Sequence, residues 1–220
     1  ESVGAYLAFT DDDCLPEAGW LVEIEEALQQ APGAVCGGRT VNAAPGSLPT
    51  HATQLLLDYL YEQYNPAVTS GAFYPTNNLA VPRTKFLELG GFDERLRFGE
   101  DREFCFRWQA QGGSFVFAPR AVVKHSHTLS LGTFLRLHFS YGWGTGRFRS
   151  TCKLKGMSRP AYSSPLWYLG LLGYGLKREP GRRGAALSLL LAASQAASLA
   201  GVLYAWASGP PRGAGSHEIS

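Results

Sequence analysis

Two acidic signatures hold the side chains best suited to chemistry in this sequence. The first, Phe9-Thr10-Asp11-Asp12-Asp13, closes the apolar run Val3-Gly4-Ala5-Tyr6-Leu7-Ala8-Phe9, which reads as a buried strand. The second, Gly99-Glu100-Asp101-Arg102-Glu103-Phe104, lies about ninety residues later, a separation that only tertiary folding can close. Three carboxylates at the end of such a strand repel one another unless something positive sits among them. In an α/β sheet that end is where ligands bind. A divalent cation carrying a phosphorylated substrate is the simplest occupant. Mg2+ and Mn2+ favour carboxylate oxygens and are often shared between one or two carboxylates and substrate phosphates. One cluster to hold a metal and a second to move a proton is the equipment of a group-transfer enzyme.

Blander readings compete at both places. A calcium loop fails, because Leu15 stands at the next ligand position after Asp11 and Asp13 and no glycine turn follows. The triplet could instead cap a helix starting near Pro16, though three consecutive carboxylates exceed what a cap needs. Glu100-Asp101 could likewise cap the helix that follows it, and capping and catalysis are compatible there.

The elements that must position these groups alternate between strand and helix. The pattern predicts a helix over 17–30 with Leu21, Ile24, Ala27 and Leu28 on its apolar stripe. A strand from Ala34 enters Gly37-Gly38, and a loop covers 42–50. A helix over 51–64 leads to an aromatic-rich loop, a strand to 76–83 and a short helix to 84–89. A helix over 101–111 ends at Gly112-Gly113; two short β-type runs, 114–117 and 121–125, and an aromatic, basic helix over 133–141 follow. The strand at the start has no βα unit before it, so the sequence predicts that a complete sheet needs further N-terminal strands.

The tail differs in kind. Residues 165–176 are almost wholly apolar, a basic turn follows at 177–183, and 185–207 carry no charge over a length that could span a bilayer. A membrane hairpin and a buried or interfacial helix pair both fit; a basic connector belongs on the cytoplasmic side. The expected division is a partial catalytic domain over 1–150, a membrane-associated helical segment over 151–208 and a disordered tail over 209–220.

Bulk properties narrow the classes further. The 220 residues are 45% hydrophobic and 17% charged, which is globular with little charge for a soluble domain. A net charge of +2 gives no argument for nucleic acid. Cys14, Cys36, Cys105 and Cys152 are far apart without CxxC spacing, which fits neither a zinc site nor a disulfide framework and predicts a reducing compartment.

Taken in order, Phe9-Thr10-Asp11-Asp12-Asp13, the helix bearing Gly19-Trp20-Leu21, Gly37-Gly38, Asn78-Leu79-Ala80, Gly90-Gly91-Phe92-Asp93-Glu94 and Gly99-Glu100-Asp101 form a recognisable series. Over roughly residues 3–145 the chain resembles the C-terminal portion of the catalytic domain of a family 2 glycosyltransferase. The resemblance implies an α/β, GT-A-like mixed sheet flanked by helices, lacking its N-terminal nucleotide-binding half. By the same resemblance the triplet matches the DxD element, with Asp11 beside the uridine or ribose, Asp13 on Mn2+ or Mg2+, and Asp12 sharing either duty. Glu100-Asp101 matches the catalytic ED element, in which Asp101 is the general base for an inverting displacement. His125, in preference to His127, would complete the metal site. Asn78 and Arg107 are assigned to the acceptor side, Arg107 steadying a phosphate or Glu103. Trp108 and His138 read as structural. Phe104 stands where the QxxRW element of processive members would place Gln, so single-sugar transfer is expected.

The implied partners are a nucleotide-diphosphate sugar, a glycan or lipid-linked hydroxyl acceptor and the cytoplasmic face of a bacterial inner membrane. Two other classes stay open. A nucleotidyltransferase would also hold a metal on acids, and a membrane-anchored carbohydrate-binding or scaffold module would keep the fold without catalysis.

Overall fold

The computed structural model of the chain describes residues 2–43, 46–64, 74–126, 128–154 and 164–209. His127, the aromatic-rich loop after residue 64 and the tail from 210 onward lie outside these residues.

Five strands, β1 (Tyr6–Phe9), β2 (Cys14–Pro16), β3 (Val35–Asn42), β4 (Leu79–Pro82) and β5 (Phe115–His125), form one curled mixed sheet in the order β1-β4-β3-β5-β2. β3 and β5 run parallel; the other pairings are antiparallel. Side chains alternate between faces along each strand, as the two-residue period requires. Cys36, Ala80, Val116 and Ala118 pack beneath helix α1 (Trp20–Gln30), while Val35, Leu79, Val81 and Phe115 meet α4 (Glu100–Ala110) on the other face. The two short runs expected at 114–117 and 121–125 are one strand with a bulge: Gly38 pairs with Ala118, and Arg39 next pairs with Val122. Pro119, which has no N–H for the ladder, sits in that bulge.

Several sequence expectations need correction. β1 is an edge strand paired only with β4 among the described residues, and its side chains alternate between exposed and half-buried rather than being buried. The buried stripe of α1 is Trp20, Ile24 and Leu28; Leu21 is 60% exposed. The strand expected over 76–83 starts as a 3-10 turn at Thr76–Asn78, and helix α2 (Leu48–Tyr64) begins inside the expected loop. After the short α3 (Arg83–Glu88) and α4, helix α5 runs from Leu131 to Leu154, far beyond the expected 133–141.

The helical expectation for the tail is met by α6 (Pro165–Arg178) and α7 (Arg182–Ala207). These two form a third core with α2 and α5, in which Leu55, Tyr59, Phe134, Leu171, Tyr174, Leu187 and Leu191 pack together. Small residues let the long helices approach. A methyl group at Gly142 of α5 would collide with the Ser198 carbonyl, and one at Gly201 of α7 with the Phe139 carbonyl. All four cysteines are free thiols.

Candidate active site

The acid triplet lies on the turn that joins β1 to β2. The Cys14 N–H donates to the Asp11 carbonyl at 3.1 Å, closing a four-residue turn around Asp12 and Asp13. Only Thr10–Asp13 connect strands at opposite edges of the sheet, which is possible because the sheet curls and brings its edges together. β2 then pairs antiparallel with the end of β5, with Cys14 opposite His125. That register sets His125 Nε2 2.9 Å from Asp13 Oδ2, joining residues 112 apart in sequence. Burial works against charge on Asp13, but the hydrogen bond and the field of His125 outweigh it and hold this carboxyl below its ordinary range. Asp11 moves the other way. Burial raises it first, then Asp13 and Asp12, against the pull of His125.

The second signature opens α4. Gly99 caps the helix with φ of 82°, a left-handed conformation that glycine adopts without a Cβ penalty. The same loop lies on α5, where a Cβ at Gly144 would come within 2.6 Å of the Phe98 carbonyl. Arg102 Nη1 donates to Thr145 Oγ1 at 3.0 Å and ties α4 to α5 just beyond the acid pair. Asp101 is raised to about 6, by burial first and then by Glu100, against Arg102 and the N–H groups of Arg102 and Thr76. Glu100 is raised by burial and by Asp11, and its Oε2 is buried without a hydrogen-bond partner among the described residues. The field that Asp11 exerts on Glu100 joins the two signatures into one acidic cleft.

An aromatic cluster holds them there. Phe9, the residue before the acid turn, packs on Phe86 and Phe92, and both of those pack on Phe104, one turn into α4, with ring centroids 5.1–5.4 Å apart. Such tilted and edge-on pairs each add about 0.5–1.5 kcal/mol beyond burial of their area.

Two expected site residues are committed to the fold instead. Asn78 is fully buried: its Oδ1 accepts from Trp20 Nε1 at 2.8 Å, and its Nδ2 donates to the carbonyls of Arg39 at 3.1 Å and Ala121 at 2.9 Å. It braces the β5 bulge against β3 and α1. Arg107 Nε donates to both oxygens of the buried Glu103 at 2.8 Å, and its remaining nitrogens reach the carbonyls of Leu89 and Gly91. Glu103, one of its two expected partners, is in place. Trp108 and His138 are buried as structural residues.

Tyr141 was not anticipated. It stands one turn before Thr145 and three residues before Gly144, on the face of α5 that meets the start of α4. Although half-exposed, its phenol is pushed up to about 12, by crowding first and then by Asp101, Asp11 and Asp13. The hydroxyl therefore keeps its proton and can donate a hydrogen bond beside the acids. Its spacing from the Gly-Trp-Gly-Thr-Gly stretch was the available signal.

Known proteins resemble this chain in sequence. The family described as "Glycosyl transferase family group 2" matches residues 8–208. A protein named Pre-mycofactocin glycosyltransferase, from two strains of Mycobacterium tuberculosis, is 25% identical over 187 residues, covering 79% of this chain and 38% of the relative. One from Caenorhabditis elegans, named Probable N-acetylgalactosaminyltransferase 9, is 26% identical over 145 residues, covering 57% of this chain and 25% of the relative. The chain thus spans well under half the length of these curated relatives.

Proposed function

The chain belongs to glycosyl transferase family group 2, and on that premise we propose that it moves a sugar from a nucleotide-diphosphate donor to a hydroxyl acceptor by a single inverting displacement on a GT-A-type sheet. The observation that carries this reading is the convergence of the Asp13–His125 pair, 2.9 Å apart, with a buried Asp101 whose carboxyl titrates at about 6.

Asp13, Cys14 and His125 present ligand atoms within 4.8 Å of one another, the only such group among the described residues. The carboxylate suits Mn2+ or Mg2+, the imidazole is a weaker but permissible ligand for Mn2+, and phosphate oxygens would complete the shell. The Cys14 thiol is pushed up to about 11 by burial, then by Asp13 and Asp11, so it stays protonated and is a weak ligand. The residues therefore fit the ion. Held there, it would neutralise charge growing on the departing nucleoside diphosphate.

The protein's own groups do the rest. Asp11 and Asp12 flank the nucleotide side of the turn. Asp101 takes the acceptor hydroxyl's proton as that oxygen attacks the anomeric carbon, and a pKa of about 6 leaves it ionised at neutral pH yet basic enough to work. The unpartnered Oε2 of Glu100 is free to accept from a substrate hydroxyl. Tyr141, which keeps its proton, can donate beside these acids. A glycan or lipid-linked acceptor at the cytoplasmic face of a bacterial inner membrane is supported by the apolar hairpin joined to this domain.

The test is calorimetric titration of UDP-, GDP- and dTDP-sugars into the full-length protein with Mn2+, repeated in EDTA. Metal-dependent binding of one donor that is lost in Asp13→Ala is expected. Failure of every donor to bind with either metal would overturn the assignment and favour a binding module.

A further inference from the structure

Helix α7 is long and apolar enough to cross a membrane by length and composition alone. Its packing argues for a different placement. Gly184, Leu187, Leu191, Ser194, Gly201 and Ala205 are buried, with the half-buried Ser198 completing a three-then-four spacing along the helix. The seam covers nearly all of the 26-residue helix, about 39 Å at 1.5 Å per residue. Its first half lies on α6, where a Cβ at Gly175 would come within 2.7 Å of Ser188. The second half lies on α5, where a Cβ at Gly146 would come within 2.6 Å of Ala205 and Ser198 Oγ donates to the His138 carbonyl at 3.0 Å.

Helix α5 is not membrane material. It carries Arg136, Arg147 and Arg149, and it is bound to the start of α4 through Gly144 and Thr145. Driving α7 across a bilayer would draw those cations into hydrocarbon, at about 2.5–3.5 kcal/mol each even on the mildest scale.

Yet the outward face of α7 is not made for water. Ala185, Leu189, Ala196, Leu199, Ala200, Leu203, Tyr204, Trp206 and Ala207 are its exposed residues from 185 onward, and none is polar apart from the Tyr204 hydroxyl. A surface helix ordinarily turns charged and polar groups outward. Helix α6 repeats the pattern with Leu166, Leu169, Gly173 and Leu176 exposed. Between the two helices stand Lys177, Arg178, Arg182 and Arg183, all exposed, and Tyr204 and Trp206 stand at the far end of α7. Cations and amphipathic aromatics bordering an apolar face are what an anionic lipid surface recognises.

We propose that α6 and α7 lie in the plane of an anionic bilayer, sunk to the level of the headgroups and upper acyl chains, so that they hold the chain on one leaflet and neither of them crosses it. This deepens the membrane part of the proposed function and is independent of the catalytic part.

The test places nitroxide labels at Leu189→Cys, Ala196→Cys and Leu203→Cys in a Cys14→Ser background, the other three cysteines being buried. Depth is read from collision with oxygen and with a water-soluble nickel chelate, on vesicles of phosphatidylcholine with and without phosphatidylglycerol. The three labels should report one shallow depth, and only when phosphatidylglycerol is present. A depth profile deepest at Ala196 with its ends on opposite sides would mean a spanning helix and overturn the proposal. So would burial of the labels without lipid together with a dimer in sedimentation, which would make the occupant a second copy. Leu199→Glu with Leu203→Glu should lower vesicle partition by more than about tenfold while leaving Mn2+-dependent donor binding unchanged. Loss of donor binding with partition intact would count against the catalytic reading alone.

Discussion

Replacing Asp101 by Asn should abolish sugar transfer and at the same time stabilise the fold. Its carboxyl titrates at about 6 in the folded chain, against an ordinary value of 3.8. A raised folded value means that the native state holds the proton more tightly than the unfolded chain does. Stability therefore falls as pH rises from 3.8 to about 6, and above that window the whole penalty is present. At about 1.36 kcal/mol per pH unit, the ionised carboxylate costs about 3 kcal/mol at neutral pH. An amide removes that cost and keeps the geometry, because an Asn oxygen can still accept from the Arg102 N–H, 2.7 Å away in the native protein. The expected gain in EDTA at pH 7.5 is about 2–3 kcal/mol, or about 4–10 °C in Tm for a chain of this size. At pH 3.5, where both states are protonated, the gain should vanish. Paired thermal and urea denaturation at the two pH values measures it. An Asn variant no more stable than the wild type at pH 7.5, or one equally stabilised at both, would refute the burial argument. A variant that still transferred sugar would refute the base assignment. In the wild type, the acid limb of kcat/KM should fall near pH 6.

Three further outcomes follow from the contacts. His125→Ala should weaken Mn2+ binding, read by electron paramagnetic resonance titration, by about tenfold or more, and an unchanged affinity would remove His125 from the metal site. Arg107→Ala breaks the ion pair with Glu103, which is 1% exposed, and should cost about 3–5 kcal/mol in urea denaturation, with Glu103→Gln restoring part of the loss. Asn78→Ala removes the acceptor of the buried Trp20 N–H and the amide that donates to the Arg39 and Ala121 carbonyls, and should cost about 2–4 kcal/mol; a rise in acceptor KM without loss of stability would assign Asn78 to the acceptor pocket.

The order of strands and helices was legible because the periods and glycine stops were strong, as at Gly112-Gly113 after α4 and Pro32-Gly33 after α1. What the sequence hid were choices made by distant partners. Trp20 rather than Leu21 faces the core because its indole N–H finds Asn78, a residue 58 positions away. Asn78 and Arg107 have the chemistry of sugar and phosphate ligands, and the same groups serve equally well to brace a bulge or neutralise a buried Glu103. Only the fold reveals which use was made of them. The β5 bulge was hidden because Pro119 reads as a break between two strands, although the chain resumes the same ladder after it. Helix α5 was undercut because Gly142, Gly144 and Gly146 are poor helix formers; each gives up propensity for close approach to α7 or to the Phe98 carbonyl.

That last exchange bears on why the cleft holds together. Asp11, Glu100 and Asp101 are each raised by burial and by a neighbouring acid, so the cleft works against the fold wherever these groups are ionised without a cation. Something nearby must oppose the repulsion that would spread β1 away from α4. The Phe9–Phe86–Phe92–Phe104 cluster does so, because Phe9 and Phe104 stand beside the two acidic signatures and are joined through Phe86 and Phe92 by rings that have no charge to lose. On the far side, Gly144 and Thr145 of α5 grip Phe98 and Arg102 across the start of α4. The acidic pair is thus gripped from both directions by contacts whose strength does not depend on pH near neutrality. A donor carrying its metal would then enter a cleft already assembled, and its charge would relieve repulsion without having to fold the site.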